Sequence, residues 1–296
     1  MFSVVIPTYN RADKLRRALI SLKSQSWQEF EVIVCDDGST DDTKSVALSF
    51  EKDLDIKYIY SNNSGGPAKP RNLGIQKAQY DWICFLDSDD WWYKHKLAEM
   101  RNAIQNFPSS NVYYHDFDVY SGNEDTTCGK FYSRDLGEKP YIELLVYGNG
   151  IVNSSAVVKK QNILEIGGID ENENLISMED YDLWIQLAKD GAKFTYIPKS
   201  LGGYWINDND HITANYLRGL KCKETIYNKY IHLLSPQEKT LFIQSYNLHL
   251  ACVALDTKDF NKSLSLTFSI LRNPYSFRLL IRTLKFLKLF SKNIQS

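Results

Sequence analysis

WICFLDSDDWW, residues 82 to 92, passes from an apolar run to a cluster of acids and then to two tryptophans. Its first five residues are all apolar, as in a strand buried on both faces. Asp87, Asp89 and Asp90 then crowd into four positions. Carboxylates that close repel one another unless positive charge lies among them. The stretch therefore reads as a buried strand over 81–86 that delivers acids at its carboxyl end. One of Trp91 and Trp92 packs beneath that loop, and the other is open to face a ligand.

The same arrangement recurs upstream. Phe2 to Thr8 is a short apolar, β-branched run ending at Pro7-Thr8-Tyr9-Asn10. Residues 11–25 have helical spacing, with Leu15, Ala18, Leu19 and Leu22 on one face. A second strand over 30–35 ends at Asp36-Asp37, and Thr40 or Asp41 can cap the helix after it. A third strand over 56–60 leads into SNNSGGPAKP, residues 61–70, and a short helix over 71–78. A helix over 94–106 closes the run. Strand–helix alternation of this kind predicts an α/β fold with a mostly parallel, doubly wound sheet. Ligands of such sheets bind outside the carboxyl ends of the strands. Three separate strands would thus bring polar groups to one rim.

Beyond Asn111 the pattern changes. Strands are expected at 111–120, 150–159 and 193–197, and helices up to Gly167-Gly168 and over 179–189. From about 215 the chain reads as helical. The division expected is a catalytic domain over 1–212 and a helical C-terminal extension over 213–296. After Asp259 there is no acidic residue, and FRLLIRTLKFLKLF, residues 277–290, alternates bases with apolar side chains. That is a basic amphipathic helix, suited to peripheral contact with an anionic membrane face. Docking on its own domain or in an oligomer is the other use of such a helix.

Composition narrows the field further. The 296 residues are 43% hydrophobic and 24% charged, as in ordinary globular proteins. A net charge of -1 gives no pull toward nucleic acid. The five cysteines are scattered without a CxxC pair, which argues against a disulfide framework or structural zinc and fits the cytoplasm. MFSVVIPTYNR reads as a strand, not a signal peptide, and no run of about 18 apolar residues predicts a spanning helix.

Five groups of residues could carry chemistry. Asp87, Asp89 and Asp90 could present oxygens to Mg²⁺ or Mn²⁺, or could simply open a helix. Asp36 and Asp37 could accept from a nucleobase or ribose, or form an Asx turn. SGGPAKPRN, residues 64–72, has glycines for close approach and Arg71 for phosphate, but it is neither a P-loop nor GxGxxG. Glu179 and Asp180 could be a general base or helix-capping acids. His211, after Tyr204-Trp205, could be a further metal ligand or a phosphate contact.

Taken together, SVVIPTYNR, VIVCDDGSTDDT, GGPAKPRNLGI, WICFLDSDDWW and MEDYDLW resemble the family 2 glycosyltransferases of the GT-A fold, in order and spacing, over residues 3 to about 212. The resemblance implies that Pro7, Thr8 and Tyr9 line a nucleoside pocket. Asp37, with Asp36 beside it, would hold the base, and Arg71 would lie near the nucleotide. Asp87 and Asp89 match the DxD, with Asp89 or Asp90 on Mn²⁺ or Mg²⁺. Asp180, with Glu179 beside it, matches the catalytic base. It also implies a nucleotide-sugar donor, most often UDP-linked, and inversion at the sugar. The QxxRW of polymerising synthases is missing, so a single addition is expected, to a glycan or lipid-linked acceptor in surface polysaccharide synthesis. The enzyme would lie at the inner membrane face. A Mg²⁺-dependent phosphohydrolase using strand-end aspartates and a non-catalytic nucleotide-sugar binder are the alternatives.

Overall fold

The computed structural model describes residues 1–122, 126–206 and 216–271, together with 280, 281, 283 and 284. Strand β1 (Phe2–Thr8) is buried at all seven positions, and so is β2 (Phe30–Asp36). Between them, α1 (Ala12–Lys23) turns Leu15, Ala18, Leu19 and Leu22 to the core, the face its spacing predicts. Next come α2 (Thr43–Leu48), β3 (Ile56–Tyr60), α3 (Ala68–Lys77) and β4 (Trp82–Phe85). Strands β1, β2, β3 and β4 pair in parallel in the order β3-β2-β1-β4. The N-terminal part of the expected doubly wound α/β sheet is therefore present. The cap differs from expectation: Asp42 is the N-cap of α2, while Asp41 accepts from the backbone N–H of both Thr43 and Ala12.

The chain continues through β5 (Trp91–Trp92), α4 (Lys96–Asn106), β6 (Val112–Tyr120), β7 (Thr127–Phe131) and α5 (Pro140–Tyr147). Then follow β8 (Val157–Lys159), α6 (Lys160–Glu165), α7 (Glu179–Lys189) and β9 (Phe194–Trp205). Strand β8 joins β4 antiparallel and hands the sheet on to β6, β9 and β5, with β7 paired to β6. Where one strand over 150–159 was expected, Asn153–Ser155 forms a 3₁₀ turn, and only Val157–Lys159 is strand. Strand β9 is much longer than its expected 193–197. Its pairing with β6 jumps from His115↔Ile197 to Asp116↔Ser200, so Pro198 and Lys199 bulge out and the strand resumes.

Two glycines make that continuation possible. Trp91 pairs with Gly203 and Trp92 with Gly202. A Cβ at Gly203 would lie 2.2 Å from the Trp91 ring, and one at Gly202 would lie 2.7 Å from the Trp91 carbonyl. Gly74 does the same for α3, where a Cβ would lie 2.6 Å from Val5 Cγ1 and 2.8 Å from Cys35 Sγ. Helix α3 thereby settles directly onto β1 and β2.

Packing groups the chain into two units, Met1–Tyr141 with Asn149–Ala214, and Ile142–Gly148 with Asn215–Ser296. The second contains α8 (Tyr216–Tyr230), α9 (Pro236–Asp256) and α10 (Phe260–Leu271). Helix α9 opens with a capping box between Ser235 and Glu238 and a proline at its start. Leu248, Ala251 and Leu255 of α9 pack with Ile270 of α10. Apart from 280, 281, 283 and 284, the basic stretch 277–290 lies outside the described residues. Among the described residues no helix is long and apolar enough to cross a membrane.

Candidate active site

A cavity of about 700 Å³ opens at the carboxyl ends of β1, β2 and β4, within the first unit. Pro7, Thr8, Tyr9 and Arg11 come from the end of β1, Asp37 from the end of β2, Gly65, Gly66 and Pro67 from the loop into α3, and Pro70 and Arg71 from the first turn of α3. Asp87, Ser88 and Asp89 follow β4, and Glu179 and Asp180 open α7. Phe131, Asn149, Asn153 and Tyr204 complete the wall. Most of the expected site residues are thus brought to one chamber. Three are not: Asp36 and Asp90 lie behind the wall, and His211 falls outside the described residues.

Arg71 organises the floor. It is 3% exposed, with Nη1 donating to Glu179 Oε1 at 2.5 Å and Nη2 to Asp87 Oδ1 at 2.6 Å. A guanidinium so buried is tolerable only when paired on this scale. It ties the loop after β4 to the start of α7, 108 residues away in sequence from Arg71. Arg71 also lines the cavity, the place in which the resemblance sets it near a nucleotide. Glu179 is likewise committed: Oε1 accepts from Arg71 and Oε2 from the Ser177 N–H at 2.8 Å. Glu179 still lines the cavity beside Asp180, and its two bonds anchor Arg71 and the start of α7.

The three acids after β4 separate into different roles. Asp87 Oδ1 also accepts from Asn153 Nδ2 at 3.0 Å, and its main-chain N–H donates to Ser154 Oγ. Asp89 Oδ2 lies 2.7 Å from Arg11 Nη1, while Arg17 Nη2 donates to the Asp89 carbonyl. Asp90 is 1% exposed and accepts from Ser154 Oγ at 2.5 Å and from the Trp205 N–H at 3.3 Å. Burial, with the charges of Asp89 and Asp87 next, pushes its carboxyl well above the usual range. Asp90 is a buried tie between this loop and β9, which corrects the expectation that it could bind the ion.

The tryptophans divide in the same way. Trp92 is buried beneath the loop and donates Nε1–H to the Ser154 carbonyl at 2.8 Å, steadying the residue that holds Asp87 and Asp90. Trp91 does not line the cavity. It packs against Tyr120 at 4.7 Å and beneath the Arg17 guanidinium at 4.2 Å.

Asp37 and Asp36 point to different places. Both oxygens of Asp37 accept from the Ser64 N–H, at 2.9 and 3.1 Å, and Asp37 lines the cavity. Burial, the largest influence on it, raises its carboxyl above the ordinary value. Asp36 holds the turn instead, accepting from the Ser39 N–H at 2.7 Å and from the Tyr58 hydroxyl. Its expected contact with a base is therefore corrected. Thr8 Oγ1 is buried at the wall with no partner among the described residues, as a ligand-facing hydroxyl would be.

Asp180 stands at the cavity wall, half-buried, accepting from Asn149 Nδ2 at 3.3 Å and from the Tyr181 N–H at 2.7 Å. Burial first and the charge of Glu179 second raise its carboxyl to about 7, with Arg71 pulling the other way. A carboxyl poised there suits proton transfer at neutral pH. Tyr204 lies in the field of Asp87, Asp89, Asp90 and Asp180, and burial with those charges pushes its hydroxyl up. Arg11, Asn149, Asn153, Phe131 and Tyr204 escaped the reading of the sequence.

Among the described residues no three His, Cys, Asp or Glu side chains stand together as a ready-made ion site. Asp87 and Asp89 nonetheless fit a divalent ion that also binds a diphosphate. Both face the cavity with hard oxygen donors, and Mg²⁺-type ions take one or two carboxylates plus phosphate.

Comparison with known proteins agrees with this geometry. The model of Glycosyl transferase family 2 matches residues 3–151. The chain is 34% identical over 211 residues to the amylovoran biosynthesis glycosyltransferase AmsB of Erwinia amylovora, covering 69% of each chain. It is 31% identical over 193 residues to the Escherichia coli enzyme named UDP-Glc:alpha-D-GlcNAc-diphosphoundecaprenol beta-1,3-glucosyltransferase WfaP, covering 65% of this chain and 72% of WfaP. A glycosyltransferase of Rickettsia conorii is 33% identical over 63% of this chain, which spans only 30% of that protein. In fold, the chain is similar to S. aureus TarS 1-349 in complex with UDP-GlcNAc, with a TM-score of 0.63 at 19% identity over 92% of this chain and 91% of that one. It is also similar to the mannosyltransferase PcManGT of Pyrobaculum calidifontis in complex with GDP-Man and Mn²⁺, with a TM-score of 0.65 at 17% identity over 99% and 82%. These likenesses establish the GT-A fold, and with the family match they show that the chain belongs to glycosyl transferase family 2.

Proposed function

We propose that the cavity binds a nucleotide-sugar and passes its sugar to one acceptor hydroxyl with inversion. One observation carries this reading. Asp180, a carboxylate poised near neutrality, shares a chamber of about 700 Å³ with Asp37 at one side and Asp87 and Asp89 at another. That volume suits a ligand of nucleotide-sugar size. The nucleoside rests against Pro7, Thr8 and Tyr9, and Asp37 accepts from its base. Asp180 takes the acceptor proton, and the hydroxyl oxygen attacks the anomeric carbon as the bond to the diphosphate breaks. Asp87 and Asp89 would hold Mn²⁺ or Mg²⁺, which supplies charge stabilisation to the departing diphosphate. Arg71 and Glu179 keep Asp87 and the start of α7 in register.

The names of relatives support a UDP-linked donor and an acceptor in surface polysaccharide synthesis. WfaP is named for UDP-Glc and a diphosphoundecaprenol-linked acceptor, and AmsB for amylovoran biosynthesis. On the basic pattern of 277–290, the lipid-linked acceptor is met at an anionic membrane face on the cytoplasmic side. Retention on anionic vesicles that is lost on truncation after Asn273 would support that placement, and unchanged retention would remove it. The donor reading is tested with a panel of UDP-, GDP- and dTDP-sugars and Mn²⁺ or Mg²⁺, followed by melting temperature and release of nucleoside diphosphate. At least one donor should raise the melting temperature and be turned over. No response to any of them would overturn the reading.

A further inference from the structure

Asp89 is met by a side chain quite unlike the one that holds Asp87. Arg71, on Asp87, has a side chain only 4% exposed and is held on its other side by Glu179. Arg11, 2.7 Å from Asp89 Oδ2, keeps 21% side-chain exposure and itself lines the cavity. It springs from the turn between β1 and α1, where it is the N-cap residue of α1. Its guanidinium can therefore leave Asp89 without stranding a buried charge. Partly exposed ion pairs of this kind are weak, while a divalent ion shared between two carboxylates and a diphosphate is held far more firmly. The planar fork of an arginine also matches diphosphate oxygens. The second anchor of this loop, Arg17, holds the Asp89 main chain and so does not depend on what its carboxylate binds.

We propose that Arg11 is an exchangeable counter-ion of this site. It neutralises Asp89 while the cavity is empty and turns to the donor diphosphate when a divalent ion takes Asp89. This rests on reading the cavity as a nucleotide-sugar site. Arg11 and the ion then compete for one carboxylate, so the ion binds poorly alone and well together with nucleotide. Asp89, close to Asp87 and Asp90, is thereby kept from repelling them or capturing a stray cation while the cavity is empty.

The test uses the full chain, with Mn²⁺ binding read by the loss of free-ion EPR signal, first alone and then with UDP or GDP. Arg11→Met should bind Mn²⁺ alone roughly two- to fivefold more tightly, the weight of a partly exposed ion pair. With Mn²⁺ saturating, the same variant should bind UDP or GDP about tenfold or more weakly, as befits loss of a charge-assisted contact. Arg11→Lys keeps the charge, should fall between, and serves if Arg11→Met does not fold. Arg16→Met removes equal charge from the exposed face of α1 and should change neither quantity. Unchanged or weaker Mn²⁺ binding by the Arg11 variants overturns the proposal. So does equal tightening by Arg16→Met, or unaltered nucleotide binding by Arg11→Met. If the wild type binds neither UDP nor GDP with Mn²⁺, the donor reading falls as well.

Discussion

Burial raises the carboxyls of both Asp180 and Asp90, but with different consequences. Asp180 borders the cavity and is raised to about 7, so its proton exchanges in the neutral range. The rate constant for free enzyme and substrate should rise tenfold per pH unit up to about 7 and then level off, as measured by kcat/KM against pH. A flat profile would remove Asp180 as base. Stability moves the other way. The native state holds this proton more tightly than the unfolded chain, whose carboxyl titrates near about 4. The stabilisation is present below that value and lost as pH rises through about 7, so Asp180→Asn should melt higher than wild type at pH 8 and not at pH 4. Asp90 instead spends both oxygens on Ser154 and Trp205. Asp89→Asn should abolish Mn²⁺-dependent nucleotide binding, whereas Asp90→Asn should retain it; titration calorimetry of the two reverses the assignment if the losses are exchanged. The sequence showed Asp36, Asp37, Asp89 and Asp90 as equivalent acids. Adjacent residues at a strand end point to opposite sides, and which side meets the cavity is set by neighbours far away in sequence.

At the scale of elements, the strand ends were the legible part. Apolar runs closed by polar residues mark β1, β2 and β4 because parallel strands are buried on both faces and can be polar only where they stop. Strand β5 was not legible, since two tryptophans become a strand only by pairing with Gly202 and Gly203 more than a hundred positions on. Strand β7 is exposed at all five positions and lacks any buried face to give it a pattern. Gly74 shows how contact overrides propensity. Alanine in a helix is ordinarily better than glycine by about 0.5–1 kcal/mol. Here the new methyl would meet Val5 and Cys35 at 2.6 and 2.8 Å. Overpacking of that kind costs about 1–3 kcal/mol. Gly74→Ala should therefore lower stability by about 1–2 kcal/mol in urea unfolding, the balance of those two effects. An unchanged or higher midpoint would mean that α3 can lift off the sheet freely.

Across the whole molecule, the chamber draws on both parts of the sheet in the first unit. The parallel strands bring Thr8, Asp37, Asp87 and Asp89, all readable from local motifs. The later, mixed strands and their loops bring Tyr204, Phe131, Asn149 and Asn153, which no local pattern marks. Their place depends on β8 running antiparallel to β4 and on β9 surviving its bulge. The wall that the parallel strands supply was accordingly easier to read than the wall from the mixed strands. The most direct test of this account compares wild type with Asp180→Asn on the nucleotide-sugar that the wild type turns over, measuring kcat and donor affinity side by side. The account predicts that kcat falls by about 10²–10⁴-fold while donor affinity is kept, as for loss of a general base. An Asp180→Asn enzyme that transfers sugar at the wild-type rate would contradict it.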